Sequence, residues 1–450
     1  MAYTDFIAAI DLGSSQLTGV VGVKNSSGSI RVIAYEVEPS GSFIRRGCVF
    51  NIEETAAKIK SLLSRMERKL EGGRIAKVYV GIGGQSLHTQ EYAVVKELAS
   101  DSRITDEVVD LLFEECHIYK PAQLDVLYTV APTYYLDGRL EVNPVGVPCK
   151  RIEARFNLVV GRPSVRKHIE TSIVEKAQKK IAGLLISPLA LADAVLLDHE
   201  KDLGCALIDM GAGVTTLSVY KSGKLQSMAV IPLGGALITK DLMTLPLVEA
   251  EAERIKIIYG NAIVDKEDTS VVTVNAVDGV GRDVRLAEIN HIVEARAKEI
   301  LENIFMQLEA MGGVDRLGAG IVLTGGASYL RNVAELIHRR LKREVRYATV
   351  RKEVLENPLQ LPVDNLTAVG LLLQDTENCA VVPEKKPQAA PVPTPGLFGS
   401  EEIEEVAPPV KKPEPVKEEK DTGKKGKGLF KGLGKKLESF GGNLFGEEDM

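Results

Sequence analysis

Cysteine is scarce in this 450-residue chain, and none of it stands in a CxxC pair. Cys48, Cys116, Cys149, Cys205 and Cys379 are scattered and odd in number. That speaks against a disulfide framework or a zinc site and suits a reducing cytosol. Long apolar runs are missing too. The longest uncharged one, Ile181 to Ala192, falls short of the roughly 20 residues a bilayer span needs, and it contains Pro188. The opening stretch, Met1 to Gly13, carries Asp5 and Asp11 and no basic segment, so no secretory leader is expected. A net charge of only -6 gives no nucleic-acid signature. There is no G-x-x-x-x-G-K-S/T, which excludes a P-loop protein. The six histidines show no metal-ligand spacing and receive no role.

What is present is an α/β pattern with enough apolar content, 44%, to bury real cores. Phe6 to Ile10 is an apolar strand running into Asp-Leu-Gly-Ser-Ser, and Leu17 to Val23 is a second strand entered through that tight turn. Glu53 to Leu70 predicts a helix, with Ala56, Ile59, Leu62, Leu63 and Met66 along one face. Val78 to Ile82 is another strand, closed by Gly83-Gly84. From Ser86 to about Val160 the chain changes character, with one helix (Asp106 to His117) among strand-like runs such as Leu124 to Val130; this predicts a compact inserted subdomain. A long helix, Ser164 to Ala182, is expected to return the chain to the first core.

The second half repeats the opening design: Cys205 to Ile208, then Asp-Met-Gly-Ala-Gly, then the strand Thr215 to Tyr220. Helical patterns at Leu247 to Ile258 and Ile289 to Met311 flank a charged, β-rich stretch. The strand Ala319 to Leu323 then opens onto Thr324-Gly325-Gly326-Ala327.

Two strand–turn–strand units of this kind suit a nucleoside triphosphate clamped between two half-molecules. Glycine lets backbone N–H groups approach phosphate oxygens closely, and successive amides form an anion-binding nest. Ser14, Ser15 and Thr215 add hydroxyls. Asp11 and Asp209 are placed to hold a hydrated Mg2+, which keeps several waters and borrows one or two carboxylates; Asp209 is also the candidate for positioning the attacking water. A single Asp-Gly turn is an ordinary hairpin. Two of them about 198 positions apart, followed by a late strand ending in Thr-Gly-Gly, are a stronger signal.

These residues resemble the actin, Hsp70 and sugar-kinase superfamily and, within it, the FtsA family of bacterial division proteins. Ala9-Ile10-Asp11-Leu12-Gly13-Ser14-Ser15 is similar to the first phosphate loop of that family, and Leu207 to Thr215, with Gly211 and Gly213, to the second. Val322 to Ala327, with Gly325 and Gly326, resembles the adenosine motif. Ala252 to Lys256 resembles the helix whose Glu253 and Lys256 would reach the ribose. Gly234-Gly235, followed by Ile238 to Asp241, matches a further loop, and Ala368 to Leu371 the second connecting helix.

The resemblance, over about residues 5 to 375, implies an actin-like two-lobed ATPase fold that binds ATP with Mg2+. It assigns 1–85 and 161–196 to a first lobe, 86–160 to an inserted α+β subdomain, 197–249 and 319–375 to a second lobe, and 250–318 to a smaller subdomain upon it. It departs from the family pattern in three places. Gln16 stands where Lys is usual, Thr216 where Asp is usual in a loop that also lacks the third glycine, and Ser187 where hydrolysing relatives often carry a carboxylate or amide. These departures predict ATP bound tightly and turned over slowly. As partners the resemblance implies the tubulin-like GTPase FtsZ, docking around 250–318, self-association into polymers, and later division proteins recruited through 86–160.

Composition breaks near residue 376. Nine prolines fall between Pro383 and Pro415 among Lys and Glu. A segment so poor in large apolar groups cannot repay the entropy of ordering, so 376–426 is expected to be a disordered, extended spacer. Beyond it, 427–446 has helical amphipathicity. Leu429, Phe430, Leu433, Leu437, Phe440 and Leu444 fall within one arc of about 100°, with Lys427, Lys431 and Lys435 opposite. That is the layout of an in-plane helix on anionic lipid. Gly428, Gly432, Gly434, Gly441 and Gly442 each cost about 0.8–1 kcal/mol against Ala, so the helix is expected to form only where lipid buries its apolar face. Together these features predict a protein on the cytoplasmic face of the bacterial membrane at the division site. The alternatives are an actin-like pilus-assembly ATPase or a small-molecule kinase of the same fold, neither of which uses this tail. An Hsp70-like chaperone would need a β-rich peptide-binding domain where the spacer stands.

Overall fold

Two β-sheets, each grown around one of the paired Asp-Gly hairpins, organise the computed structural model of the chain. It describes residues 4–99, 102–275, 279–356, 365–374 and 377–381. Among these, the first sheet has five strands in the order Lys180–Ile186, Lys77–Ile82, Ile7–Leu12, Gln16–Lys24, Ile30–Pro39. The central strands are near-continuous apolar runs, as layers covered on both faces require. The helix Ile52–Arg68 packs Ile59, Leu62, Leu63 and Met66 into that core, and the Asn51 side chain caps it by accepting the Glu54 amide at 3.1 Å.

The second sheet has ten strands. Its path runs Arg139–Glu141, Thr133–Leu136, Arg151–Gly161, His88–Glu97, Lys224–Ile231, Thr215–Lys221, Cys205–Met210, Ile321–Thr324, Val345–Tyr347, with Asp125–Thr129 pairing onto Arg151–Gly161. Its first half belongs to the inserted segment. Among the described residues one bridge, Ala229 to His88, joins the two halves of this sheet.

The internal repeat of the sequence is also a repeat of structure. Ile7–Leu12 pairs antiparallel with Gln16–Lys24 so that Asp11 faces Thr18, and Cys205–Met210 pairs with Thr215–Lys221 so that Asp209 faces Thr216. Each first strand has a parallel neighbour on its other side, Lys77–Ile82 in one case and Ile321–Thr324 in the other. Both neighbours run into a Gly-Gly pair, Gly83-Gly84 and Gly325-Gly326. The buried apolar residues fall into four clusters: the first sheet with its helices, the second hairpin with Leu286–Ala310, the inserted segment around Phe156 and Ile152, and a cluster around Ile255, Val274 and Ile289. The first cluster also takes in Leu207, Met228 and Val322 of the second sheet, so the two lobes share a core on one side.

Two expectations are corrected. The single helix over 164–182 is a helix Pro163–Glu170, a π turn Thr171–Lys176 and then the edge strand Lys180–Ile186. Gln178, at φ 55, ends the helical path. The run Ile181 to Ile186 is continuously apolar, and periodicity does not separate a parallel strand from a buried helix in such a run. The spacer was expected from 376, yet 377–381 are docked on the first sheet, with Cys379 wholly buried and Ala380 paired to Ile75. A composition average over a Pro/Lys/Glu-rich stretch hides two small apolar residues at its start. No helix among the described residues is long and apolar enough to cross a membrane. The remainder of the spacer and the amphipathic segment 427–446 lie outside the described residues.

Candidate functional site

The two hairpin turns face each other across a cleft of about 580 Å³. From the first hairpin it is lined by Asp11, Gly13, Ser14 and Ser15, and from the second by Asp209, Gly211 and Gly213. Gly325 and Gly326 line it beyond the strand Ile321–Thr324, and Gly235, Glu253 and Lys256 close it from the helices Gly235–Leu242 and Glu249–Tyr259. With Asn365 and Thr367 also on its wall, positions up to 356 apart in sequence meet in one concavity.

The loops touch. A Cβ at Gly213 would lie 2.5 Å from Ser14 Oγ, so glycine is required where the second turn passes the first. Ser14 Oγ accepts the Gly47 amide at 2.8 Å. The first loop is held from behind by Ser40, fully buried, whose hydroxyl donates to the Gly13 carbonyl at 2.6 Å while its amide donates to the Ser15 carbonyl at 3.0 Å. The second loop is held by the Gly234-Gly235 turn. The Gly235 amide donates to the Gly211 carbonyl at 3.0 Å and the Ala236 amide to the Ala212 carbonyl at 2.9 Å.

The two expected residues that do not line the cleft are Gly234 and Thr215. Gly234 packs behind the loop, where a Cβ would meet the Ala212 carbonyl oxygen at 2.5 Å. Thr215 is fully buried and its hydroxyl donates to the Leu233 carbonyl at 2.8 Å, so it is no phosphate donor here. Its neighbour Thr216, on the opposite face of the strand, lines the cleft instead.

Asp11 and Asp209 occupy equivalent positions on the two lobes. Burial pushes the Asp11 carboxyl up to about 6, against hydrogen bonds from Asn365 and Ser187 that favour the anion. Burial also pushes Asp209 up to about 7, and the Asp11 charge adds to it. Ser187 Oγ donates to Asp11 Oδ1 at 3.5 Å, and Asn365 Nδ2 donates to Asp11 Oδ2 at 3.5 Å and to Thr18 Oγ1. Asn365 Oδ1 accepts the Ala368 amide at 3.0 Å, capping the helix Leu366–Leu373. At the other end, Lys256 Nζ donates to Glu253 Oε2 at 2.6 Å, Thr239 Oγ1 at 3.0 Å and the Gly235 carbonyl at 3.2 Å. Ile238, Ile257, Tyr329 and Leu330 supply an apolar wall beside them. Where the loops meet, glycine-turn amides and serine hydroxyls stand beside two carboxylates, and beyond Gly326 the wall is apolar, which suits an amphipathic ligand whose anionic end is accompanied by a cation.

Ser40, Thr18 and Asn365 were not identified from the sequence, and neither was the apolar wall. The Ser40 and Thr18 letters carry no motif, and only the fold brings them to the loops. Asn365 did carry a signal, since an Asn immediately before a helical run is an N-cap pattern.

The family model described as "Cell division protein FtsA" matches residues 206–368. Cell division protein FtsA of Porphyromonas gingivalis is 34% identical over 377 residues, 83% of this chain and 78% of that protein. The Bacillus subtilis protein of the same name is 31% identical over 378 residues, covering 83% and 84%. Among solved structures, the PilM-PilN type IV pilus biogenesis complex has a TM-score of 0.58 at 18% identity over 82% of this chain and 98% of that one, a likeness of fold alone. The architecture is a mixed α/β, actin-like fold. Identity at this level, sustained over most of both chains, places the protein in the FtsA family of cell division proteins.

Proposed function

We propose that the chain is an ATP-binding, polymerising adaptor that tethers FtsZ to the cytoplasmic membrane at the division site and recruits later division proteins. The observation that carries the ATP reading is the cleft itself, where the two glycine turns and two facing aspartates of the repeat converge. Asp11 and Asp209 fit a hydrated Mg2+, since two carboxylates that burial keeps protonated well above the usual range, Asp209 further raised by the Asp11 charge, are a donor set short of positive charge. Such an ion would supply charge balance for a triphosphate. Ser14, Ser15 and the Gly211 to Gly213 turn would face the phosphates, and Glu253 and Lys256 the ribose. The wall of Ile238, Ile257 and Tyr329 would take the base. Gln16, Ser187 and Thr216 line the same cleft without offering a cation or carboxylate, which supports slow turnover.

The membrane half of the proposal rests on the periodicity of 427–446, and the docking of FtsZ around 250–318 on the family. A pilus-assembly role has only the fold likeness behind it. The test mixes the full chain with anionic liposomes and FtsZ, with and without Mg·ATP. Expected are liposome-bound polymers that carry FtsZ down on sedimentation, loss of binding when Phe430 and Phe440 become Glu, and turnover well below one per second. A soluble monomer with rapid phosphotransfer to a small molecule would overturn the reading.

A further inference from the structure

The strand Ile7–Leu12 is gripped at both ends by the same C-terminal stretch of chain. At its far end Asp11 takes the Asn365 amide, and Asn365 starts the buried helix Leu366–Leu373. That helix spans about 12 Å. Its C-terminal end is fixed by Lys24 Nζ on the Leu373 carbonyl (3.2 Å) and by Gln374 Nε2 on Asp193 Oδ2 (2.8 Å). At the near end of the strand, the Phe6 amide donates to Asn378 Oδ1 (3.3 Å) and the Cys379 amide to the Phe6 carbonyl (2.8 Å). Asn378 Nδ2 reaches the Thr4 carbonyl (2.9 Å), and the Cys379 carbonyl accepts the Ala76 amide (2.9 Å). The Val381 amide donates to the Arg74 carbonyl (2.9 Å), and Glu377 pairs with Lys77. Residues 377–381 thus form a five-residue strap laid across the root of the strand that carries Asp11.

We propose that 377–381 is a latch coupled to the cleft, so that an occupied cleft holds the root of the C-terminal tail closed. This rests on the reading of the cleft as a nucleotide site. A strap of five residues, half-exposed at Glu377 and Val381, opens at far lower cost than the body unfolds. A ligand that binds only when Asp11, Asn365 and their helix are in place lowers the population of any state in which the bracket is undone, in proportion to its own saturation. A strap that is merely attached would not respond.

Cys379 makes this measurable, because its side chain is wholly buried under the latch, while Cys205, equally buried in the other lobe, reports unfolding of the body. The full chain is labelled with a thiol reagent, with and without Mg·ATP, and each cysteine is followed by mass spectrometry. Binding of a fluorescent ATP analogue is measured in parallel. Without nucleotide, Cys379 is expected to label faster than Cys205, through opening of the strap alone, and saturating Mg·ATP is expected to slow Cys379 at least tenfold, as it also slows Cys205, whose exposure needs the whole body to open. Gln374→Ala frees the far end of the helix from Asp193 without touching the cleft, and should bind the analogue yet lose most of that protection. Asn378→Ala should label rapidly in either condition. The proposal is overturned if Cys379 and Cys205 label alike without nucleotide, if bound nucleotide leaves Cys379 unchanged, or if Gln374→Ala keeps the full protection. Failure of the analogue to bind at all instead overturns the cleft as a nucleotide site.

Discussion

Asp11 and Asp209 hold their protons to about pH 6 and about pH 7, well above the ordinary aspartate value of 3.8. Between those limits the folded chain binds more protons than the unfolded one, so stability falls as pH rises through the window. The nucleotide-free protein is therefore expected to be less stable at pH 8 than at pH 5 by urea denaturation. Asp209→Asn removes most of that slope and should be about 1–3 kcal/mol more stable than the parent at pH 8. A variant with the parental slope would locate the proton uptake elsewhere. The aspartates and glycines of this site were legible in the sequence because their chemistry shows in the letters and their repetition in the spacing. Thr215 was misjudged for a reason of strand geometry. Neighbouring side chains take opposite faces, and nothing in Gly-Val-Thr-Thr says which threonine turns toward the cleft.

At the scale of elements, the helices Leu366–Leu373 and Ser187–Val195 meet with their backbones in contact. A Cβ at Gly370 would stand 2.0 Å from the Ala190 carbonyl oxygen, a clash with main chain that no rotamer relieves. Gly370→Ala is expected to cost about 1–3 kcal/mol, read as a lowered urea midpoint, although alanine is the better helix former. An unchanged midpoint would mean that the helices part easily. Most elements of the first lobe were legible from period alone, as with Ile59, Leu62, Leu63 and Met66 on one helix face. The strand Lys180–Ile186 was not, since its apolar run reads equally as the tail of the preceding helix. The strap escaped for the opposite reason, as Cys379 and Ala380 are too few to alter a composition window.

At the scale of the whole molecule, the buried apolar side chains among the described residues gather in four clusters, and the joins between them are invisible to the sequence. The inserted segment meets the second lobe through the bridge at His88 and a reciprocal pair on Thr89. Thr89 Oγ1 accepts the Met228 amide at 2.9 Å and donates to its carbonyl at 3.4 Å. Thr89→Val should cost about 1–2 kcal/mol and speed amide exchange in 224–231 while leaving Ile7–Leu12 protected. Equal acceleration in both strands would show that the join carries no local load. The internal repeat, finally, has a mechanical side. Because Asp11 and Asp209 belong to different sheets, the repulsion that the Asp11 charge exerts on Asp209 acts between the two halves of the repeat, as a strain stored where they meet. Positive charge placed between them would cancel that repulsion, so the same two side chains that oppose the joining of the halves when the cleft is empty would hold them together when a cation is bound.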